Sequence, residues 1–280
     1  MLNKISIIGC GLIGSSILRA VIEKKLASKI SVYDKASKVT DYLKKNFSVE
    51  ICSNVSDVVK DSDLVIIASP LSSYKEILLS IQSNLKENVI LTDTGSAKKE
   101  INKIINNFNL KDISWIASHP IAGTENSGPE SGSADLFENR WCILSNEDQS
   151  DRDKIEMLKD FWIELGSKVK IMSFVDHDYV LSITSHLPHA IAYTIVRTAI
   201  SDDKFKDDII QYSGGGLRDF TRIAASDPIM WRDILITNKI SILKMLEIYK
   251  KDLRKLEIAI EKNNDKYLLE LFTKTRKIRK

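Results

Sequence analysis

Cysteine is scarce in this sequence, with only 3 among 280 residues, at Cys10, Cys52 and Cys142. An odd and widely spaced set makes neither a disulfide framework nor a cysteine metal cluster, and it fits a reducing compartment. Net charge is scarce as well. The 41 basic residues nearly cancel the 38 acidic ones, leaving +3. That balance argues against a dedicated nucleic-acid protein, whose basic face usually shifts the whole count. The chain enters a strand-like run at once, without the basic segment, apolar segment and cleavage site of a secretory signal. No apolar run is long enough to cross a bilayer. No nucleic-acid or membrane partner is therefore expected, and a cytoplasmic location is predicted. Histidine is limited to 4 positions, His119, His177, His186 and His189.

What is present is an ordinary globular composition, 43% hydrophobic and 28% charged, in a chain long enough for two domains. Through the first two-thirds, short β-branched runs alternate with helical patterns. Residues 4–9, 29–34, 63–69, 89–93 and 113–118 read as buried strands, with a helix over 12–26 between the first two. Such runs predict a parallel sheet covered on both faces. Residues 141–145 and 168–173 read as added strands, flanking a helix over about 151–165. Near Val175 the strand signals stop. One helix is predicted over about 177–200, and another from Asp227-Pro228 toward Lys262. The apolar positions Ile236, Ile240, Leu243, Leu246, Leu253, Leu256 and Ile260 form one helical stripe. A helix that long has few neighbours in its own small domain, so the stripe predicts a homodimer. The alternative is a stripe packed entirely within the chain. The basic C-terminal residues Lys274, Arg276, Lys277, Arg279 and Lys280 read as a frayed, solvated tail.

The run Gly9-Cys10-Gly11-Leu12-Ile13-Gly14 matches G-x-G-x-x-G where a buried strand opens into a helix, the context such a motif requires. The first glycine permits a tight turn, the second lets backbone approach a pyrophosphate, and the third lets helix and strand pack closely. The helix N-terminus then presents free N–H groups and partial positive charge to the phosphates. Asp34 ends the second strand run. A carboxylate there accepts hydrogen bonds from the ribose hydroxyls of NAD and repels the 2′-phosphate of NADP. Lys35 follows and softens that preference, so NADP is not excluded. Gly9, Gly11, Leu12, Ile13, Gly14 and Asp34, with Ser69 and Pro70 at the end of the third strand run, are the predicted cofactor-binding positions. A strand–helix turn with no ligand is the plain alternative.

His119 follows the 113–118 run, in His119-Pro120-Ile121-Ala122-Gly123-Thr124-Glu125. Ligands of open parallel sheets bind beyond the carboxyl ends of the strands, and an imidazole with a pKa near ~6.5 can take a proton there. A histidine that merely caps the strand end is the other reading. Ser96, in Asp93-Thr94-Gly95-Ser96-Ala97-Lys98, could bond a substrate hydroxyl, but on sequence alone the N-cap of the next helix is favoured. His186 and His189 in Ser185-His186-Leu187-Pro188-His189 share one helix face, and Pro188 predicts a kink. These histidines with Asp176 and Asp178 make only a partial ligand set, so no metal site is predicted. After Gly214-Gly215-Gly216 come Arg218 and Arg222, on one helix face. Arginine binds carboxylates bidentately, although solvated arginines at a helix start would look the same.

Taken together and in this order, Gly9-x-Gly11-x-x-Gly14, Asp93-x-Gly95-Ser96-x-Lys98, His119-Pro120-x-Ala122-Gly123-x-Glu125, Ser185-His186-Leu187-Pro188-His189, and Gly214-Gly215-Gly216 with Asp219-x-Thr221-Arg222 resemble the prephenate/arogenate dehydrogenase family. The resemblance implies an α/β fold: an NAD-binding Rossmann-like domain with a mostly parallel sheet over 1–174, then an all-helical substrate and dimerisation domain over 175–280. It implies NAD-dependent oxidative decarboxylation of prephenate to 4-hydroxyphenylpyruvate, of arogenate to tyrosine, or of both. It also implies roles. His119 is the catalytic base and Ser96 bonds the same substrate hydroxyl. Arg222 holds a substrate carboxylate, with Glu125 and Asp219 as acids that pair with it. His189 lines the substrate pocket, with His186 and Trp231 in support. No residue decides between prephenate and arogenate. With no chorismate mutase segment ahead and no further domain after the helices, feedback by tyrosine is expected, if present, at the active site itself. Two other readings stay open. One is a different two-domain NAD enzyme, such as a β-hydroxyacid dehydrogenase or an imine reductase. The other is an NADH-reporting sensor, which would need neither His119 nor Arg222.

Overall fold

The computed structural model of the chain describes residues 2–108, 110, 112–124, 126–146, 152–201 and 204–279. Its first half alternates strand and helix: β1 (Leu2–Ile8), α1 (Leu12–Glu23), β2 (Ala27–Tyr33), α2 (Ser37–Asn46), β3 (Glu50–Ile51), α3 (Val55–Val58), β4 (Leu64–Ile67), α4 (Tyr74–Ile81), β5 (Ile90–Asp93), α5 (Lys99–Asn106) and β6 (Ser114–Trp115). These strands form one parallel sheet in the order β3-β2-β1-β4-β5-β6. Successive side chains point to opposite faces of a strand. Ile5, Ile7, Leu64 and Ile66 accordingly pack with Ile17, Leu18 and Val21 of α1. Ile8, Val65, Ile67 and Leu91 pack with Ile77, Leu78 and Ile81 of α4 on the other side. The strand order reverses between β1 and β4, and ligands of such sheets bind in the crevice at that point, beyond the carboxyl ends of the strands.

The single strand expected over 113–118 is in fact two. β6 completes the large sheet. After Ile116, β7 (Ala117–Pro120) opens a three-stranded sheet, antiparallel to β8 (Trp141–Ser145), which pairs parallel with β9 (Lys168–Ile171) across α6 (Arg152–Glu164). Ile116 still donates its amide to the Leu91 carbonyl at 3.1 Å. The Ser118 amide donates instead to the Asp93 carboxylate at 3.2 Å, so a side chain interrupts the ladder and redirects the chain. His119 thus lies inside β7, opposite Ile143, rather than after a strand. The first helix is also shorter than expected: it ends at Glu23, Lys25 turns the chain with φ 53°, and β2 begins at Ala27.

The second half is helical. α7 (Phe174–Leu181) is capped by Ser173, whose side chain accepts the Asp176 amide. It runs through a π-helical turn, Ser182–His186, into α8 (Leu187–Ala199). The sequence predicts a proline kink here. Pro188 lacks an amide hydrogen and its ring crowds the carbonyl four residues back, and the wider π turn absorbs that conflict. There follow α9 (Lys206–Gln211), α10 (Gly215–Thr221), a 3-10 turn over Arg222–Ala225, α11 (Pro228–Thr237), α12 (Lys239–Glu261) and α13 (Asp265–Arg279). The predicted long helix is broken at Asn238, whose side-chain amide is drawn inward to the Asp178 carbonyl at 2.8 Å. The C-terminal segment is a helix, not a frayed tail. Asp265 in its first turn and Arg276, Lys277 and Arg279 in its last complement the helix dipole.

α12 buries Ile242, Met245 and Ala259 against its own chain. Much of the predicted stripe points elsewhere: Ile236, Ile240, Leu243 and Ile260 are 64%, 61%, 62% and 59% exposed. The stripe is therefore not packed within the chain. No helix among the described residues is long and apolar enough to cross a membrane.

Candidate active site

The glycine loop joins β1 to α1. Gly9 has φ +91°, and a Cβ there would stand 2.7 Å from the Ala68 carbonyl oxygen; one on Gly14 would stand 1.9 Å from the Gly9 carbonyl oxygen. Both glycines are demanded by the loop's own packing. Gly11 differs, since a Cβ on it meets nothing within 4 Å. That open space faces the start of α1, which carries no side-chain cap and so has first-turn N–H groups to offer an anion. Asp34 accepts the Cys10 amide at 2.8 Å and the Ala36 amide at 2.9 Å, which holds its carboxylate at the loop's edge. Ser69 and Pro70 follow β4 on the same side of the sheet. Ser69 is tied to the Ser73 hydroxyl at 3.0 Å, and Pro70 is exposed. Open space, an uncapped helix start and a fixed carboxylate suit a dinucleotide.

Beyond β5 and β7 the two halves of the chain meet. His119 is buried, with Nδ1 2.8 Å from Nε2 of His177. His177 Nδ1 is in turn 2.8 Å from the Asp178 carboxylate. Asp178 also accepts the amides of Lys98 and Lys99, at 2.8 and 3.0 Å. A carboxylate from α7 therefore caps α5, and Ser96 is not the N-cap that the sequence favoured. Ser96 sits half-buried between β5 and α5, and its backbone faces His186. Beneath them lies a fully buried ion pair. Lys98 Nζ is 2.7 and 2.6 Å from the two oxygens of Asp93, which also accepts the Tyr74 hydroxyl at 3.0 Å and the Gly95 and Ser118 amides.

The helical half supplies the rest. His189 stacks on Trp231 at 3.6 Å, and the edge of the same indole meets His186 at 6.2 Å. His189 Nδ1 donates to the Ser185 carbonyl at 2.9 Å. Asn238 donates to His186 Nδ1 at 3.1 Å. His186 Nε2 and Trp231 Nε1 are buried without a completed hydrogen bond. Arg222, just past α10, is near enough for its charge to act on His189. Asp219 is exposed on α10, with its carboxylate 3.7 Å from where a Cβ on Gly215 would lie. Glu125 lies outside the described residues.

Burial pushes all four imidazoles below the ordinary histidine pKa. For His119 the shift is large, with the charges of His177, Lys98 and His186 adding to it. For His177 burial outweighs the opposing Asp178 bond. His186 is pushed down to about 4, and His189 is lowered by burial together with Arg222. The folded protein thus keeps these rings neutral, while the unfolded chain protonates its histidines near ~6.5. Below that pH the unfolded state binds more protons. Stability is then full above ~6.5 and lost as pH falls, by up to about 1.4 kcal/mol per pH unit for each such ring. Thermal melts at pH 7.5 and 5.5 are expected to give a lower midpoint at pH 5.5. An equal or higher midpoint there refutes the neutral-histidine assignment.

Sequence reasoning weighed Asp178 only as a partial metal ligand, and it gave no role to His177, Asn238 or the pairing of Lys98 with Asp93. A usable signal existed for the first two: one of only 4 histidines stands beside an aspartate where strands give way to helices.

Residues 18–171 match the family described as prephenate dehydrogenase, nucleotide-binding domain, and residues 174–274 match prephenate dehydrogenase, dimerization domain. The chain belongs to the prephenate dehydrogenase family. The cyclohexadienyl dehydrogenase of Zymomonas mobilis is 38% identical over 277 residues, covering 98% of this chain and 94% of the relative. The prephenate dehydrogenase of Lactococcus lactis is 33% identical over 282 residues, 99% of this chain and 77% of its own length. The crystal structure of Aquifex aeolicus prephenate dehydrogenase in complex with hydroxyphenyl propionate and NAD+ is 32% identical, with a TM-score of 0.91 over 100% of this chain and 98% of that one. The predicted fold is that of the family, and so are the predicted enzyme class, a dehydrogenase, and cofactor, NAD.

Proposed function

We propose that this member of the prephenate dehydrogenase family carries out its oxidative decarboxylation, of prephenate, arogenate or both on the way to tyrosine, with His119 as general base and Arg222 as the anchor of a substrate carboxylate. The observation that carries the reading is a convergence. His119 from the sheet half meets His177 from the helical half and lies within range of the charge of His186, and Trp231, His189 and Arg222 continue the group around His186.

Gly9, Gly11, Leu12, Ile13 and Gly14 hold the pyrophosphate at the start of α1 in this reading, Asp34 holds the ribose, and Ser69 and Pro70 bound the crevice. NAD, when bound, supplies the hydride acceptor. His119, kept neutral by burial, takes the ring hydroxyl's proton as the carbinol is oxidised. Ser96 bonds the same oxygen. General base catalysis of this kind contributes ~10²–10⁴-fold. Arg222 supplies orientation. It serves best on the carboxylate that stays in the product, because stabilising the one that departs would favour the ground state. Asp219 and Glu125 act through Arg222, and His189 lines the pocket. The Trp231 indole N–H, buried without a partner, is the kind of donor that a ligand rich in acceptor oxygens would satisfy. Loss of carbon dioxide leaves an aromatic ring and makes the reaction irreversible.

The test crosses prephenate and arogenate with NAD and NADP and follows nicotinamide absorbance. Reduction of NAD with at least one substrate is expected, with NADP poorer because of the Asp34 charge. A folded protein that reduces neither cofactor with either substrate sinks the reading.

The division of the chain at 174/175, a homodimer and a cytoplasmic location belong to the same proposal. The exposed stripe on α11 and α12 supports the dimer, together with α13, which buries no residue and leaves Leu269 and Phe272 70% and 56% exposed. Leu243→Glu is expected to shift the protein from dimer to monomer in sedimentation. A variant that sediments like the parent places the interface elsewhere. The free cysteines, which fit a reducing compartment, support the location.

A further inference from the structure

We propose that His177 and Asp178 form a positioning relay that holds His119 in the one neutral tautomer able to take the substrate's proton. The proposal rests on His119 being the general base. Its own content is which nitrogen of that ring is bare, and why.

The contacts determine the answer step by step. The Asp178 carboxylate can only accept, and it already takes the amides of Lys98 and Lys99. His177 Nδ1, at 2.8 Å from Asp178 Oδ1, must therefore donate. A neutral imidazole has one N–H, so His177 Nε2 is left as an acceptor. His119 Nδ1, 2.8 Å away, must then donate to it. The bare nitrogen of His119 is Nε2, on the side of the ring away from the relay. The hydrogen bond made by one ring nitrogen sets the state of the other, and the triad of base and orienting group uses the same logic.

The surrounding charges bear on whether this order holds. His119 faces His177 of α7, Lys98 ahead of α5 and His186 of the π turn; the Lys98 charge opposes its protonation, as would a proton gained by either histidine. His177 faces Lys98, which opposes a proton there, and Asp178 and Asp93, which favour one. Were His177 to gain a second proton, both of its nitrogens would donate. His119 Nδ1 would then have to accept, and Nε2 would carry the hydrogen and be useless as a base. With the order intact, His119 that has just received a proton still donates through His177 toward Asp178, and the new charge is shared along a line ending in a carboxylate. The relay also spans the two halves of the chain. The carboxylate that orients His177 is the one that caps α5, so seating α7 against the sheet half and setting the tautomer of the base are one event.

His177→Phe keeps a flat ring and removes the acceptor; His177→Gln restores an acceptor oxygen. The expected result is that His177→Phe binds NAD as the parent does and keeps KM within a few-fold. Its kcat falls by ~10²-fold or more, toward the loss of the base itself, and His177→Gln recovers a substantial part. Independently, ¹⁵N spectra of the histidine-labelled parent enzyme at neutral pH, assigned with His119→Asn, are expected to show His119 protonated at Nδ1 and bare at Nε2. A kcat for His177→Phe within twofold of the parent, a His177→Gln variant no better than His177→Phe, or His119 protonated at Nε2 each overturns the relay. If His119→Asn itself retains turnover, the base assignment has failed instead, and the spectrum still reports the relay on its own.

Discussion

His119→Asn is expected to fold, to bind NAD with the parent's affinity and to lose between ~10² and ~10⁴ of kcat. The fold should survive because β7 is held by its ladder to β8, in which His119 sits opposite Ile143, and an asparagine amide can still donate toward His177. NAD affinity should survive because the glycine loop and Asp34 lie on β1, α1 and the end of β2, not on β7. Turnover should fail because no other neutral imidazole takes that position. His177 is committed on one side to Asp178 and on the other to His119, and His186 is engaged by Asn238. Calorimetric NAD titration and steady-state kinetics on the same preparation decide it. A kcat within a few-fold of the parent moves the base elsewhere.

Lys98→Met is expected to be the most destabilising single change in the site. Lys98 and Asp93 are fully buried and bonded through both carboxylate oxygens. Removing one partner of a buried pair leaves an uncompensated charge and costs about 3–5 kcal/mol, out of a typical total near ~5–15 kcal/mol. For a chain of this size that corresponds to a melting midpoint roughly 10 °C lower. Asp93 keeps the Tyr74 hydroxyl and the Gly95 and Ser118 amides as donors, which places the cost toward the lower end. The double variant Asp93→Asn/Lys98→Met should be less destabilised than the sum of the two single changes. Lys98 also lowers the His119 pKa by its charge, so its removal should move the acid limb of the rate profile toward higher pH. A midpoint within ~2 °C of the parent would mean that the pair is not what holds α5 against β5 and β7.

Legibility in the sequence varied with the range of the force concerned. The glycine loop was readable because its spacing is a short local pattern at a strand–helix junction, with Gly14 packed against Gly9 five residues back, although Gly9 itself answers the distant Ala68. The strands of the large sheet were readable because both faces are covered, which leaves uninterrupted β-branched runs. The split at Ile116 was not, because what ends one strand and redirects the next is the Asp93 carboxylate, 25 residues earlier, taking the Ser118 amide. The break at Asn238 was missed for the same reason: its amide answers Asp178 and His186, 60 and 52 residues back. The fate of Pro188 was half readable, since the sequence announces the conflict but not that a π turn resolves it.

Local chemistry alone therefore determined the dinucleotide loop, the acid at Asp34, the strands of the large sheet and the change from strands to helices near Val175, and the short set of residues able to move a proton or grip a carboxylate. Only the tertiary structure decided that the imidazole of β7 rests on a histidine and an aspartate from α7, that this aspartate rather than Ser96 caps α5, and that the stripe on α12 faces outward. The reason is that hydrogen bonds and packing act across a few ångströms of space whatever the separation along the chain, and composition, spacing and periodicity record only what lies near in sequence.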